Sequence, residues 1–138
     1  MDERSKHAQY LARQHWDLQV QKGATSWTSN AYIRDRIFQR LSGTTKFWLS
    51  WLLEDRVGRR FARALSIGCG AGGHELIMQR TGLIEHIDGF DLSPVSIGLA
   101  VAAAEKEGIT DINFYVSSFE EFISAPQSMQ YDLICFFG

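Results

Sequence analysis

The hydrophobic pattern changes near residue 60, and this change limits the possible folds more than any other feature of the sequence. After it, short apolar segments alternate with segments of helical periodicity; the apolar segments are 64–69, 87–91, 113–116 and 131–137. Strands and helices that alternate in this way form a parallel sheet with helices on both faces. Because crossovers between parallel strands are right-handed, we expect the strand order 3-2-1-4. The pattern therefore predicts an α/β fold with a doubly wound parallel sheet.

The connections between these strands carry helix signals. A helix over 73–80 is expected after the first strand. In the second connection, Ser93 is placed to cap a helix that has Pro94 at its first position and ends at Gly108. The third connection is expected to hold one short helix, followed by a turn at Pro126.

Residues 1–60 have helical periodicity interrupted by a polar loop, so we predict a helical cap over 1–60 ahead of a sheet domain over 61–138. Three helices are expected in the cap, the second starting after Asn30 and the third spanning 47–57. In the first helix Ala8, Leu11, His15 and Leu18 share a face, and in the second Ile33, Ile37 and Leu41 lie on one side. In the third helix we expect Trp48, Trp51 and Leu52 to be buried.

The composition is that of an ordinary globular protein. With 138 residues, of which 45% are hydrophobic and 22% charged, we expect one domain or a piece of one. The formal net charge of −2 gives no general attraction to nucleic acid or to an anionic membrane. We expect neither a secretory signal nor a membrane span. Two thiols in apolar segments, Cys69 and Cys135, fit the reducing cytoplasm, and the four scattered histidines do not suggest a metal site.

A cluster of glycines follows the first predicted strand. The stretch A-L-S-I-G-C-G-A-G-G-H-E-L, residues 64–76, has four of the chain's 12 glycines within six positions. In a doubly wound sheet a ligand binds beyond the carboxyl ends of the strands where the strand order reverses, here between strands 1 and 4. Gly68, Gly70 and Gly73, with Asp91 at the end of strand 2, match the dinucleotide fingerprint. The same spacing is also compatible with a tight turn that binds no ligand.

Three features argue against a nicotinamide dinucleotide. The glycine cluster comes after about sixty residues of helical pattern, whereas a dinucleotide domain more often opens the chain. Ser93 caps a helix almost directly after the acidic Asp91. No basic residue lies in the glycine turn, and Glu75 lies in the first turn of the following helix. A carboxylate there would repel a pyrophosphate but would be compatible with an ammonium group.

Four segments of the sheet domain are similar to the motifs of one enzyme family. A-L-S-I-G-C-G-A-G-G and I-D-G-F-D-L-S-P-V-S-I resemble the first and second motifs of the Rossmann-like S-adenosylmethionine-dependent methyltransferases. I-N-F-Y-V-S-S-F-E-E-F is similar to the family's segment beside the adenine, and Y-D-L-I-C-F-F-G to the start of its fourth strand. The resemblance covers about residues 61–138. It implies a Rossmann-like fold, S-adenosyl-L-methionine as the cofactor and methyl transfer as the reaction.

The resemblance also implies which residues contact the cofactor. The backbone of the glycine turn would lie against the methionine portion, and Asp91 would accept hydrogen bonds from both ribose hydroxyls. Leu92, Ser118 and Phe119 would lie against the adenine. The implied cofactor-binding residues are Gly68, Cys69, Gly70, Ala71, Asp91, Leu92, Ser118 and Phe119.

Two positions depart from the family pattern. The family commonly has an acid two residues before the first glycine, where this chain has Ser66, and an Asp in the adenine segment, where it has Ser118. Both serines can hydrogen-bond, but more weakly than a carboxylate, which would reduce the affinity for the cofactor. The resemblance further implies that Phe136, Phe137 and Gly138 end strand 4 beneath the methyl donor. No catalytic base is identified.

Several other residues have two interpretations. The arginine-rich segment 56–63 could attract RNA or an acidic substrate, but the solvated end of a helix is the favoured interpretation. Tyr10, Trp16 and Trp27 could form a lid over the cofactor or pack in a core; packing is favoured for Trp16, and Trp27, in a polar loop, is the better candidate for a lid. His74 and Glu75 either contact the methionine portion or are simply residues at the start of a helix. The two thiols are expected to be buried apolar groups.

Taken as a whole, the sequence predicts a methyltransferase that uses S-adenosyl-L-methionine and a small-molecule or other acceptor. Two alternatives stay open: an NAD(P)-dependent oxidoreductase, and a non-catalytic fragment that binds a cofactor. We expect the sheet to be incomplete on its C-terminal side, because the apolar run L-I-C-F-F of strand 4 is typical of a central strand. A free edge there would promote self-association. No nucleic-acid or membrane partner is expected.

Overall fold

The computed structural model of the chain describes residues 3–21, 29–125 and 129–137. Its helices are α1 (Glu3–Gln21), α2 (Ala31–Ser42), α3 (Trp48–Trp51), α4 (Gly73–Arg80), α5 (Pro94–Glu107) and α6 (Phe119–Ser124), and a π-helical segment, Leu52–Val57, continues α3. Its strands are β1 (Phe61–Ile67), β2 (Ile84–Asp91), β3 (Ile112–Val116) and β4 (Leu133–Phe136). Within the described ranges, no helix is both long enough and apolar enough to cross a membrane.

The four strands form one parallel sheet in the order β3-β2-β1-β4, which confirms the predicted order and fold class. β1 lies in the middle, with Ile67 opposite Phe90 of β2 and Phe136 of β4. Because all four strands run in the same direction, their carboxyl ends meet at one edge of the sheet. The glycine turn after β1 therefore lies beside the end of β2 at Asp91 and the end of β4, where the strand order reverses.

One face of the sheet carries the apolar core. Ala64 of β1 and Ile87 of β2 lie opposite each other in register, and both are fully buried. The other buried members of this cluster are Leu49, Leu53, Phe61, Leu76, Met78, Ile84, Ala104 and Ile112. Burying one Leu, Ile or Met side chain contributes about 1.5–3 kcal/mol, so this packing is what holds α4 and α5 against the sheet.

The opposite face carries a polar network around Asp88 of β2, because successive residues of a strand point to opposite faces. Asp88 is almost fully buried, and Nη2 of Arg63 lies 2.6 Å from its Oδ2. The other side chains in contact with this carboxylate are His86 of β2, Asn113 and Tyr115 of β3, and Tyr131 before β4. For Arg63, the prediction of a solvated helix end is wrong, because this residue lies in β1 and its guanidinium pairs with Asp88.

The second helix of the cap buries a residue outside the face that the periodicity grouped, and the third buries other side chains than predicted. Phe38 is the buried residue of α2, whereas Ile33, Ile37 and Leu41 are exposed. Leu49 and Leu53 are buried in the third helical region, whereas Trp48 and Trp51 are half-buried and Leu52 is exposed. The buried positions come one residue after predicted ones, a rotation of about 100° around the helix axis. Apolar side chains occur on more than one side of these helices, so periodicity alone did not identify the packed face.

The first helix of the cap packs differently from the other two. No residue of α1 is buried, and Leu11 and Leu18, which share one apolar face, each expose half or more of their surface. Instead, α1 packs against the start of α5 through polar side chains. Nε of Arg13 donates a hydrogen bond to the carbonyl of Leu92 at 2.8 Å, and Asp17 accepts one from the hydroxyl of Ser93. A search for apolar periodicity does not detect a packing face of this kind.

Candidate cofactor-binding site

The turn between β1 and α4 depends on three glycines with positive φ, namely Gly68 (67°), Gly70 (54°) and Gly72 (76°). Other residues are strained in this region of backbone conformation. At Gly72 a Cβ atom would also lie 2.8 Å from Cζ of Phe114, too close for any side chain. The third restricted glycine is therefore Gly72 and not Gly73, which has ordinary φ and open space around its Cα. The spacing is G-x-G-x-G, which differs from the dinucleotide fingerprint.

Asp91 is held between the glycine turn and the start of α5. Its Oδ2 accepts a hydrogen bond from the backbone N–H of Gly70 and its Oδ1 one from that of Ser93, both at 2.9 Å. Ser93 is the N-cap of α5, as predicted, since its hydroxyl accepts from the N–H of Ser96. Each carboxylate oxygen of Asp91 keeps a further lone pair for a ligand. The carboxylate is thus oriented by the protein itself.

A cleft of about 530 Å³ lies at the carboxyl edge of the sheet, a volume typical of small-molecule sites. Six residues that the family resemblance assigns to the cofactor line it: Gly68, Gly70, Ala71, Asp91, Leu92 and Phe119. Phe136, expected near the methyl donor, lines it as well. The wall also contains Trp16, for which a place over the cofactor was the less favoured interpretation, and five residues that the sequence analysis did not assign to the cofactor, namely Val20, Ile67, Phe90, Ser96 and Ser117.

Two of the eight assigned residues, Cys69 and Ser118, do not line this cleft. The backbone N–H of Cys69 donates to the carbonyl of Phe90, and its side chain lies against Gly89. Ser118 caps α6: its hydroxyl accepts from the N–H of Glu121, whose carboxylate accepts from the N–H of Ser118. Contacts of Cys69 and Ser118 with a cofactor stay predictions.

The two thiols are unreactive by their surroundings. Cys69 is buried, as expected, whereas Cys135 is only half-buried. Burial raises the pKa of both thiols, that of Cys135 to about 11, so neither is a thiolate near neutral pH. In the parts of the chain that the structure describes, no three His, Cys, Asp or Glu side chains are grouped so that they could hold a metal ion.

Helix α1 forms one wall of the cleft, through Trp16 and Val20. The prediction that Trp16 packs into a core is wrong, because 54% of its surface is exposed and its ring borders the cleft. Arg13, Trp16, Asp17 and Val20 follow the spacing of one helical face, and a search that included polar residues could have found it. The proposed lid residue Trp27 lies outside the described residues.

His74, at the start of α4, belongs to an aromatic cluster. Its ring centre lies 4.6 Å from that of Phe137 and 6.0 Å from that of Trp48, and Phe47 is close by. Burial lowers the pKa of His74, which favours the neutral ring. Of the two interpretations of His74, these contacts favour that of a residue at the start of a helix, which here packs among aromatic rings. Phe137 packs in the same cluster, so of the residues expected to end strand 4 beneath the methyl donor, Phe136 lines the cleft, Phe137 does not and Gly138 lies outside the described residues.

Glu75, in the first turn of α4, is a fully buried acid. Its Oε1 accepts a hydrogen bond from the hydroxyl of Ser66 at 2.5 Å, whereas its Oε2 has no hydrogen-bond partner among the residues that the structure describes. Burial raises the pKa of Glu75 and the nearby charge of Asp91 adds to this effect, although the hydrogen bond from Ser66 opposes it. The sequence analysis left the role of Glu75 open.

Comparison with known proteins agrees with this geometry. A family model described as a methyltransferase domain matches residues 61–138, more than half of the chain. The chain belongs to the methyltransferase domain family. The matched residues contain the glycine turn, Asp91 and all four strands of the sheet.

Individual relatives match parts of larger proteins. The mouse protein "EEF1A lysine methyltransferase 2" is 29% identical over 117 residues, which cover 78% of this chain and 42% of the relative. The YcgJ protein of Bacillus subtilis superposes with a TM-score of 0.53 at 23% identity, over 64% of this chain and 36% of that one. TrmK of M. capricolum, solved with S-adenosyl-homocysteine, superposes with a TM-score of 0.51 at 18% identity. The match covers 56% of this chain and 34% of TrmK. Both solved structures share the fold, and the chain spans less than half of each relative.

Proposed function

We propose that the cleft binds S-adenosyl-L-methionine and that the domain takes part in methyl transfer. The observation that carries this proposal is the carboxylate of Asp91, which two backbone N–H groups orient beside an open glycine turn. When bound, this cofactor supplies a methyl group on a positively charged sulfonium. The family to which residues 61–138 belong supports the same function.

The residues present fit this cofactor. Gly70 lines the cleft and has open space where a Cβ would stand, so a ligand can approach its backbone closely. Asp91 can accept hydrogen bonds from two ribose hydroxyls with the lone pairs that remain. Leu92, Phe119 and Trp16 offer apolar surface for an adenine ring. Because the carboxylate of Asp91 is already oriented, binding costs little further ordering of that side chain.

The contribution of this domain to the reaction is positional. Asp91 is the one titratable side chain among the described residues of the cleft wall, and it is engaged by the backbone of the turn. The wall can therefore align donor and acceptor and exclude water, which accounts for a large part of the rate enhancement in reactions of this kind. Helix α1 serves the exclusion of water, because Trp16 and Val20 close one side of the cleft.

For the acceptor we propose a small molecule, and a protein lysine as the second candidate. A cleft of about 530 Å³ with mostly apolar walls supports the first. The name of the mouse relative supports the second. Radioactive methyl groups from labelled S-adenosyl-L-methionine, followed into small-molecule and protein fractions of an extract, would distinguish the two.

For partners we propose self-association through β4. Ile134 is 63% exposed and Phe136 72% exposed, and in the described ranges no strand pairs with the outer side of β4. Exposed apolar strand edges tend to pair with one another. Size-exclusion chromatography with light scattering should show dimers or larger species of the 138-residue chain. A monomer at high concentration would contradict this part of the proposal.

The test of the proposed function is ligand binding. S-adenosyl-homocysteine should raise the melting temperature of the chain, since a ligand at about a hundred times its Kd stabilises by roughly 2.7 kcal/mol. Asp91→Ala should weaken binding at least about tenfold, because hydrogen bonds to a charged group contribute roughly 1.5–3 kcal/mol each. Asp111→Ala, which removes an exposed carboxylate just before β3, is the matched control and should leave the affinity unchanged. Stabilisation by NADH and not by S-adenosyl-homocysteine would overturn the proposal.

A further inference from the structure

The carboxylate of Glu75 is buried, and one of its two oxygens finds no hydrogen-bond partner among the described residues. Ser66 donates to Oε1, and Oε2 has no partner among the described residues. Buried polar groups in folded proteins almost always have partners, because an unpaired one loses its water without compensation. An exception at a fixed place in the fold therefore points to a role beyond stability.

The place of Glu75 in the fold connects it with the cofactor site. It lies in the first turn of α4, directly after the glycine turn, and its partner Ser66 is two residues ahead of Gly68 in the cleft wall. The titratable groups that interact electrostatically with its carboxylate are Asp91 on β2, Cys69 in the turn and Cys135 on β4. None of these three is a cation, so the negative charge of Glu75 is not balanced by them.

We propose that Glu75 is the counter-charge for the ammonium group of the cofactor's methionine portion, acting across the glycine turn. This inference rests on the proposed function. Direct contact is not required, because charges interact strongly over several ångströms where water is excluded. Glu75 is then a specificity-determining residue that favours ligands with a cationic amino-acid end over nucleosides without one.

Proton uptake and release should report on this role. Burial raises the pKa of Glu75, and a cation brought near the carboxylate lowers it again. Binding of S-adenosyl-homocysteine should therefore release a proton in the pH range where ligand-free Glu75 is partly protonated. Titration calorimetry in two buffers of different ionisation enthalpy measures this release, and Glu75→Gln should abolish it.

The decisive experiment compares two probes on two variants. S-adenosyl-homocysteine carries the ammonium group, whereas 5′-methylthioadenosine has the same nucleoside and sulfur but no amino-acid end. Glu75→Gln should weaken binding of the first about tenfold, which corresponds to about 1.4 kcal/mol, and leave binding of the second unchanged. Asp91→Ala should weaken both, since both contain the ribose. The ligand-free Glu75→Gln variant should melt at the same or a higher temperature than the original chain.

The outcomes separate the two proposals. If the original chain binds neither probe, the proposed function fails. If Asp91→Ala weakens both probes but Glu75→Gln weakens neither, the function stands and the role of Glu75 is refuted. If Glu75→Gln lowers the melting temperature and weakens both probes equally, Glu75 only shapes the turn, and the inference is again refuted.

Discussion

Asp88 in the middle of the sheet and Glu75 beside the glycine turn are both buried carboxylates, but their surroundings are opposite. Asp88 has partners from β1, β2, β3 and the segment before β4, among them the cation Arg63. The carboxylate of Glu75 accepts a side-chain hydrogen bond from the neutral Ser66, and its Oε2 has no partner among the described residues. The hydrogen bonds of Asp88 connect the strands of the sheet, whereas Oε2 of Glu75 is available to interact with a ligand.

The pKa values of the two carboxyl groups are shifted in opposite directions, as these surroundings imply. Burial by itself would raise the pKa of Asp88, but hydrogen bonds from Arg63, Asn113 and Tyr131 together with the charge of Arg63 hold it below its usual value. Burial raises the pKa of Glu75, and the hydrogen bonds that its carboxylate accepts, from Ser66 and from a backbone N–H, do not offset this rise. The comparison teaches that burial of a carboxylate does not indicate its role, whereas the completeness of its hydrogen bonding does.

The largest expected effect is on stability at Asp88. Asp88→Ala should lower the free energy of unfolding by about 3 kcal/mol, because it leaves the partly buried guanidinium of Arg63 without its counter-charge. Glu75→Gln should change this free energy little or increase it. Urea unfolding followed by circular dichroism measures both. Equal losses for the two variants would break the comparison, since both acids would then be structural.

A smaller effect is expected at Gly72, in the region of Glu75. Gly72→Ala should destabilise the chain by about 2 kcal/mol, because φ is 76° and the new Cβ would collide with Phe114. Gly73→Ala is the matched control and should be neutral or slightly stabilising, as alanine favours helices. Thermal unfolding of both variants distinguishes them. A neutral Gly72→Ala would show that the turn is less tightly packed than the structure indicates.

The smallest effect is the dependence of stability on pH, which should have opposite signs at the two acids. The pKa of Asp88 is lowered from 3.8, so its contribution is present above that pH and is lost as the pH falls through the folded-state value. The pKa of Glu75 is raised from 4.5, so its contribution is present below that pH and is lost as the pH rises through the folded-state value. Urea unfolding at several pH values measures both effects. Compared with the original chain, Asp88→Asn should lose less of its free energy of unfolding as the pH falls, and Glu75→Gln should lose less as the pH rises.

Much of the architecture and part of the site could be predicted from the sequence, because the signals are local. Alternating strands and helices were sufficient for the order 3-2-1-4, and Ser93 and Pro94 marked the start of α5. The glycine cluster and the acid at the end of β2 placed the cleft, since any chain with this order brings those two segments together. Six of the eight assigned residues line the cleft for the same reason.

The strand order, the main helix starts and the position of the cleft could thus be read from the chain alone, because they follow from short-range hydrogen bonding and chain direction. Three features became visible only in the folded chain: Gly72 is the restricted third glycine, Trp16 borders the cleft, and Glu75 is buried with an oxygen that has no partner among the described residues. These properties depend on atoms distant in sequence, such as Phe114 beside Gly72 and Leu92 beside the helix that carries Trp16. Periodicity along the chain does not indicate which distant side chain fills a given space. Only the packing of the folded chain determines this.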